Sequence, residues 1–296
     1  MRALVISGGG SKGAFAGGVA EYLIRDCGNT YDLFVGTSTG GMLSPLLASN
    51  NLDRAKEMYT SIQHKDIFAH SPFTMERENG RAKAKMSHTS IIRNLWEDRR
   101  TFGDSRYLRR YIGRKFTQED FDCIRQLERE VIVTVANLTK QRVEYKSSRD
   151  YTYEDFCDWI WASSSVLPFM SLVSKEGSEY GDGGFGNLIP IRTAIDKGAT
   201  EVDVIILRPE NRDVNLPPIK NVFEVLTRTY DFMFQQIAKD DVTIGQLAAE
   251  NKHVDMRFFF TPRLLTDDFF ALDPQEMSQW WAEGHKVFQS QSPRIM

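Results

Sequence analysis

Short apolar runs alternate with longer helix-forming stretches at the start of the chain. Arg2–Ser7 and Tyr31–Val35 have apolar centres of the kind that is buried on both faces of a parallel sheet. Lys12 to about Cys27 and Ser38–Ser49 follow them and have the pattern of helices. The order strand, helix, strand, helix at this spacing predicts right-handed crossovers and an α/β fold.

The rest of the chain continues this pattern. Further strands are predicted at Val131–Leu138, Arg142–Lys146, Val202–Leu207 and Val254–Phe260, with a hairpin turn at Glu176-Gly177. Further helices are predicted at Asn51–Gln63, Thr152–Ser163 and Ile219–Lys239, and from Asp273-Pro274 onward. Residues 64–90 are polar and irregular and are predicted to form a loop or cap. No linker divides the chain, so we predict one domain over residues 1–296, a three-layer α/β/α architecture with a mostly parallel central sheet and a mainly helical part at 211–296.

Composition restricts the class of protein. The 296 residues are 41% hydrophobic and 26% charged, as in ordinary globular proteins, and a net charge of −3 gives no argument for a nucleic-acid partner. No apolar run is long enough for a transmembrane helix, and the first strand leaves no room for a signal peptide. Three scattered cysteines, Cys27, Cys123 and Cys157, fit reduced thiols in a cytoplasmic protein. No cluster of ligand-type residues has metal-binding spacing, so neither a metal nor a cofactor is expected.

Residues 81–115 form an exception to the even charge distribution. They hold eleven basic residues against three acidic ones. The basic residues are Arg81, Lys83, Lys85, Arg93, Arg99, Arg100, Arg106, Arg109, Arg110, Arg114 and Lys115. Two interpretations stay open: a solvated helical face, or a surface for an anionic partner such as lipid headgroups at a membrane.

A glycine-rich turn, Gly8-Gly9-Gly10-Ser11-Lys12-Gly13, lies between the first strand and the first helix. Backbone N–H groups in such a turn bind anions, including the oxyanion of an acyl-transfer intermediate. The spacing of Gly8, Gly10 and Gly13 also matches the dinucleotide fingerprint. Asp32 has the sequence distance of the acid that binds ribose, but it stands at the start of the second strand rather than at its end. Nucleotide binding therefore stays an alternative, as does a turn that serves only the backbone.

The second strand leads into Gly36-Thr37-Ser38-Thr39-Gly40, a G-x-S-x-G pattern between a strand and a helix. Gly36 and Gly40 leave room for a tight turn around Ser38. The turn places the Ser38 hydroxyl at a helix N-terminus, where partial positive charge favours a developing anion. The pattern predicts a serine nucleophile, with a buried serine in a tight turn as the alternative.

Asp182-Gly183-Gly184 places a carboxylate among glycines. By itself this is typical of a turn, but beside a serine nucleophile a partly buried aspartate is a candidate general base. A Ser-His-Asp triad of the α/β-hydrolase type would need His253 or His285. Because Ser38 follows only the second strand, the sequence favours a dyad without histidine.

The chain resembles the patatin-like phospholipases over about residues 1–210. The resemblance rests on three ordered motifs, Gly8–Gly13, Gly36–Gly40 and Asp182–Gly184, and on Ala162–Pro168, Asn187 and Pro190 around the last of them. It implies that Ser38 is the nucleophile, that Asp182 is the general base, and that the N–H groups of Gly9, Gly10 and Ser11 form the oxyanion hole. Lys12 stands where the family usually has arginine, which keeps the charge but loses the planar fork.

The resemblance implies a lipid acyl hydrolase of the phospholipase A or lysophospholipase type, which acts on phospholipid or lysophospholipid esters through an acyl-enzyme. We expect a cytoplasmic protein, and peripheral membrane contact through residues 81–115 is one of the two interpretations of that stretch. A non-catalytic regulator with the same fold is a further alternative. Phe68, Phe73, Met75 and Met86 are candidates either for a cap over the site or for ordinary core.

Overall fold

The computed structural model of the chain describes residues 1–78, 80–87, 100–211 and 218–295. A largely parallel sheet lies between two helical layers, as predicted. Alternate residues of the first strand enter different cores: Leu4 and Ile6 belong to one hydrophobic cluster, Ala3 and Val5 to the other. This period of two is what a strand buried on both faces requires.

Eleven strands lie in the described ranges. They are β1 (Arg2–Ile6), β2 (Leu33–Thr37), β3 (Phe73–Glu78), β4 (Arg81–Met86), β5 (Glu130–Asn137), β6 (Arg142–Ser147), β7 (Val173–Lys175), β8 (Ser178–Asp182), β9 (Glu201–Ile206), β10 (Asp255–Phe260) and β11 (Arg294–Ile295). The central sheet has the order β11-β10-β9-β1-β2-β5-β8-β7, with β6 also paired to β5. Strands β10, β9, β1, β2 and β5 run parallel, and the remaining pairings are antiparallel.

Ten α-helices lie in the same ranges. They are α1 (Gly13–Glu21), α2 (Thr39–Ala48), α3 (Leu52–Ser61), α4 (His64–Ile67), α5 (Arg106–Lys115), α6 (Gln118–Gln126), α7 (Tyr153–Ser163), α8 (Ile191–Asp196), α9 (Val222–Lys252) and α10 (Pro274–Ser290). A 3₁₀ turn at Gly10–Lys12 precedes α1, a π-helical turn at Tyr22–Asp26 follows it, and a second 3₁₀ turn spans Gly183–Phe185. Helices α8 and α9 cover one face of the sheet, and α1, α2, α7 and α10 cover the other. Among the described residues, no helix combines the length and the apolar character that crossing a membrane requires.

The prediction of an irregular segment at residues 64–90 was wrong. The segment contains α4 and an antiparallel hairpin of β3 and β4. Distant side chains hold the hairpin in place: the N–H of Ala82 donates to Glu276 Oε1 at 2.9 Å, and the N–H of Ala84 donates to Asp268 Oδ2 at 2.7 Å. Because these partners are distant in sequence, the local pattern of residues 64–90 does not indicate the hairpin.

Two of the four candidate cap residues belong to the core. Phe68 and Phe73 are each 5% exposed, and the Phe73 ring lies 4.5 Å from that of Phe270. Met75 is exposed on the hairpin and Met86 is half-buried. The interpretation as ordinary core therefore holds for the two phenylalanines.

Ion pairs offset much of the charge in the basic stretch, five of them with acidic side chains outside residues 81–115 and one with Asp104 inside it. The pairs are Lys83–Glu78, Lys85–Glu76, Arg100–Glu179, Arg106–Asp104, Arg109–Asp158 and Lys115–Glu57. Arg93 and Arg99 lie outside the described residues. The stretch is a strand at β4 and a helix at α5, so a count of local charges overstates the surface charge that it presents.

Candidate active site

The turn at Ser38 has the strained backbone of a nucleophile elbow. Ser38 lies between β2 and α2 with φ 54° and ψ −118°, a conformation that L-residues rarely adopt. Its N–H donates to Ser163 Oγ at 3.0 Å, and Ser164 Oγ donates to its carbonyl oxygen at 3.2 Å. At Gly40 a Cβ would lie 2.1 Å from the Ile6 carbonyl oxygen, so only glycine fits there. The two hydrogen bonds and the close packing at Gly40 thus hold Ser38 in a backbone conformation that it would not adopt without them.

The glycine turn after β1 presents two unengaged backbone donors. Within the described residues, the N–H groups of Gly9 and Gly10 donate to no other group. The N–H of Ser11, by contrast, donates to the Phe269 carbonyl at 3.3 Å. Thr39 Oγ1 donates to the Gly10 carbonyl at 2.7 Å, which joins the turn to the elbow. Of the three predicted oxyanion donors, Gly9 and Gly10 are available and Ser11 is engaged.

Asp182 ends β8 with its carboxylate buried. Its side chain is 1% exposed, and Oδ1 accepts the N–H of Gly184 at 2.8 Å. Its own N–H donates to the Ser165 carbonyl at 2.9 Å, so the Ser163–Ser165 segment supports both the elbow and the aspartate. Oδ2 is buried without a hydrogen-bond partner among the described residues. This lone oxygen is the one that remains to take a proton.

Burial raises the pKa of Asp182 to about 7, although the Ser38 hydroxyl and the Gly184 N–H favour the charged form. The Ser38 hydroxyl is thus near enough to influence the carboxylate, but Oδ2 receives no formed hydrogen bond. Such contacts between a nucleophile and its base are often long without substrate. An acid with a pKa of about 7 is well matched to proton transfer at neutral pH.

One cleft of about 930 Å³, open solvent at its mouth included, contains Ser38, Asp182 and the glycine turn. Its apolar lining residues are Met42, Tyr59, Ile62, Ile67, Phe68, Leu108, Val166, Met170, Leu188, Phe234, Phe269, Phe270 and Leu272. Its charged lining residues are Lys12, Asp182, Arg208 and Asp231. A mostly apolar cleft with a few polar groups at one place is the usual form of a small-molecule site.

The remaining motif glycines lie where the backbone is tightly packed. At each of them a Cβ would meet a neighbouring atom at under 3.0 Å: Gly8, Gly13, Gly36, Gly183 and Gly184. Asn187 and Pro190 follow the aspartate motif: the carbonyl of Asn187 accepts Thr37 Oγ1 at 3.0 Å, and Pro190 precedes α8.

Asp241 on α9 supports the site, although no motif in the sequence points to it. Its Oδ2 accepts the N–H groups of Leu188 and Ile189 at 2.7 and 2.9 Å. The Leu188 carbonyl in turn accepts the N–H of Gly8 at 3.1 Å. Burial raises the pKa of Asp241 to about 7. An acid in the middle of a helix is usually solvated, and only the tertiary fold shows that this one fixes the glycine turn.

The side chains that the alternatives need lie elsewhere. His253 is exposed at the end of α9, and His285 Nε2 lies 3.3 Å from Asp26 Oδ2; neither lines the cleft. Asp32 Oδ2 accepts the N–H of Arg2 at 2.8 Å, at the sheet edge opposite the glycine turn. In the part of the chain that the structure describes, no group of histidine, cysteine and acidic side chains is placed to hold a metal ion.

A family model and solved structures show similarity to this chain. Among solved structures, the chain is similar to VipD from Legionella pneumophila, with 15% identity and a TM-score of 0.42. The similarity covers 62% of this chain and 46% of VipD, so the chain spans less than half of that protein. A comparison with curated proteins finds no match. The family model described as patatin-like phospholipase matches residues 4–195, well over half of the sequence. The chain belongs to the patatin-like phospholipase family.

Proposed function

We propose that this lipid acyl hydrolase cleaves the carboxylic esters of phospholipids or lysophospholipids with Ser38 and Asp182 as a catalytic dyad. The observation that carries the proposal is the meeting of three elements in one mostly apolar cleft: a strained serine elbow, a buried aspartate with a lone oxygen, and two unengaged backbone donors. Acyl transfer needs these three parts: a nucleophile, a base and an oxyanion hole.

The first half of the reaction forms an acyl-enzyme. The Asp182 carboxylate takes the proton of the Ser38 hydroxyl while Oγ attacks the ester carbonyl carbon. The carbonyl oxygen becomes an oxyanion, which the N–H groups of Gly9 and Gly10 stabilise with the N-terminus of α2. When the tetrahedral intermediate collapses, Asp182 returns the proton to the leaving alcohol oxygen.

The second half regenerates the enzyme. Asp182 takes a proton from a water molecule, whose oxygen attacks the acyl carbon. The oxyanion forms in the same place, and its collapse breaks the bond to Ser38 Oγ, which recovers the proton from Asp182. The fatty acid leaves, and no histidine is needed because the pKa of Asp182 is itself near neutrality.

The apolar lining of the cleft supports the proposal of a lipid substrate. Met42 lies one helical turn beyond Ser38, and Tyr59, Ile62, Leu108 and Met170 belong to the same apolar lining. A fatty acyl chain gains roughly 0.8 kcal/mol for each methylene group that such a surface removes from water. A small soluble ester would use little of this surface, so the cleft favours long acyl chains.

Peripheral membrane contact through residues 81–115 stays a prediction. The ion pairs of its described residues offset much of the charge that motivated it. The geometry gives no support to a Ser-His-Asp triad or to a dinucleotide site, since His253, His285 and Asp32 all lie outside the cleft.

Covalent labelling tests the proposal. We expect a fluorophosphonate probe to label the wild type at Ser38 and to leave Ser38→Ala unlabelled, because the probe reports an activated serine. A panel of phospholipid, lysophospholipid, monoacylglycerol and triacylglycerol with one acyl chain then shows the substrate class. Labelling at another serine, or equal labelling of both proteins, would contradict the assignment.

Gly10→Ala tests the oxyanion hole. Gly10 has φ +60°, and a Cβ there would lie 2.3 Å from the Phe269 carbonyl oxygen, so the turn must move. We expect kcat to fall by about 10²- to 10³-fold, the usual effect of losing an oxyanion donor. Gly28→Ala is the matched control, since Gly28 has φ +66° with no atom within 4 Å of an added Cβ. If the two variants lose equal activity, backbone strain rather than oxyanion binding explains the loss.

A further inference from the structure

The Arg208 side chain places a mostly buried positive charge at the same edge of the sheet as the catalytic groups. It follows β9, and its neighbour Leu207 donates its N–H to Ser7 Oγ at 3.0 Å and packs against Gly9. The carbonyl of Arg208 accepts the N–H of Thr261 at 3.1 Å. Its backbone is therefore fixed beside the glycine turn, and its side chain, 13% exposed, lines the cleft.

The topology gives the spacing between Arg208 and Ser38. Strands β9, β1 and β2 are parallel neighbours, with Ile205 beside Ile6 and Ile6 beside Gly36. Arg208, the glycine turn and Ser38 therefore follow one another along the carboxyl edge of the sheet. Two strand spacings, roughly 10 Å, separate the backbones of Arg208 and Ser38. An extended arginine side chain and the glycerol unit of a lipid together span such a gap.

Asp231 on α9 shares the cleft with Arg208. Arg208 Nη1 lies 3.5 Å from Asp231 Oδ1, a longer separation than the 2.6 and 2.7 Å of the two-pronged Arg257–Asp203 pair. Five N–H donors allow a guanidinium to serve a carboxylate and an incoming anion together. Its planar fork matches the oxygens of a phosphate.

From this arrangement we infer that Arg208, oriented by Asp231, binds the phosphate group of the lipid substrate while the ester carbonyl lies at Ser38. The inference rests on the proposed function and assigns the side chain that selects glycerophospholipids and lysophospholipids over neutral glycerides. Both residues lie outside the part of the chain that the family model matches. The phosphate subsite is thus a property of this chain's C-terminal part.

A pair of substrates with one acyl chain tests this subsite: lysophosphatidylcholine, which carries the phosphate, and monoacylglycerol, which lacks it. We expect Arg208→Gln to lower kcat/KM for lysophosphatidylcholine by about tenfold to hundredfold, the worth of a charged hydrogen bond, and to change monoacylglycerol hydrolysis by less than about twofold. Arg208→Lys keeps the charge without the fork and should fall between them. Arg263→Gln, an exposed arginine that pairs with Glu283, is the control and should change neither.

Competition on the wild type gives a second readout that does not depend on a variant folding. Glycerophosphocholine, which has the phosphate but no ester, should inhibit monoacylglycerol hydrolysis more strongly than inorganic phosphate does, because the glycerol unit also occupies the cleft. An equal loss on both substrates in Arg208→Gln, or no inhibition by glycerophosphocholine, would overturn the inference. If the wild type hydrolyses neither of these lipids nor a diacyl phospholipid, the proposed function itself fails, which is a different result.

Discussion

We expect Ser38→Ala to lower kcat for a lipid ester by about five orders of magnitude, with the fold intact. Alanine removes the only atom that attacks the ester carbon in the proposed mechanism, and the oxyanion donors and the apolar cleft supply only the residual rate. Substrate still binds, so KM should change little. The measurement is steady-state hydrolysis of a long-chain lysophospholipid, together with a pre-steady-state burst on an activated ester.

The matched control for this experiment is Ser61→Ala, at the exposed end of α3. That variant should keep wild-type rates and the burst. A residual activity in Ser38→Ala near that of the wild type would mean that water, or another side chain, attacks the ester directly. The elbow would then be a structural turn, as the alternative interpretation of the sequence holds.

Asp182→Asn should lower kcat by about 10⁴-fold, because an amide cannot take the proton from Ser38. In the wild type, kcat/KM should rise with pH through an apparent pKa of about 7 and reach a plateau above it, since the base is the ionised carboxylate. A flat profile between pH 6 and 8, or an Asp182→Asn variant with wild-type activity, would assign the base elsewhere.

The same substitution should stabilise the protein at alkaline pH. The pKa of Asp182 is about 7 in the fold, against about 3.9 for an unfolded aspartate, so the folded state binds more protons between these values. Stability therefore falls as pH rises from about 4 to about 7, by at most about 4 kcal/mol for this group. Asp241 and Asp268 are also buried with raised pKa values, so the difference between the wild type and Asp182→Asn isolates the effect of Asp182.

The fold and the positions of the candidate site residues follow from local patterns in the sequence. The glycine turn and the Ser38 elbow each depend on residues within a few positions, and parallel strands bring their carboxyl ends to one edge. What could not be predicted depends on distant partners. The β3–β4 hairpin needs Glu276 and Asp268, and the N–H of Ser11, one of the three predicted oxyanion donors, donates to the distant Phe269 carbonyl.

Residues 81–115 show the opposite error, because a count of local charges predicted more positive surface charge than the folded stretch presents. Lys115 pairs with Glu57 and Arg109 with Asp158, partners about fifty residues away in sequence. The charge that a segment presents at the surface depends on which charged side chains lie beside it in the fold.

Helix α9 has a consequence for how this enzyme can diverge. Through Asp241, hydrogen bonds at Leu188 connect the middle of α9 to Gly8, so a substitution far from every motif can affect the glycine turn. Residues 4–195 contain the proposed nucleophile and base, yet they do not by themselves set the geometry around these two residues. Substitutions in α9 can therefore change the rate and the substrate preference while every motif residue is kept. Two chains with identical motifs need not be equally active.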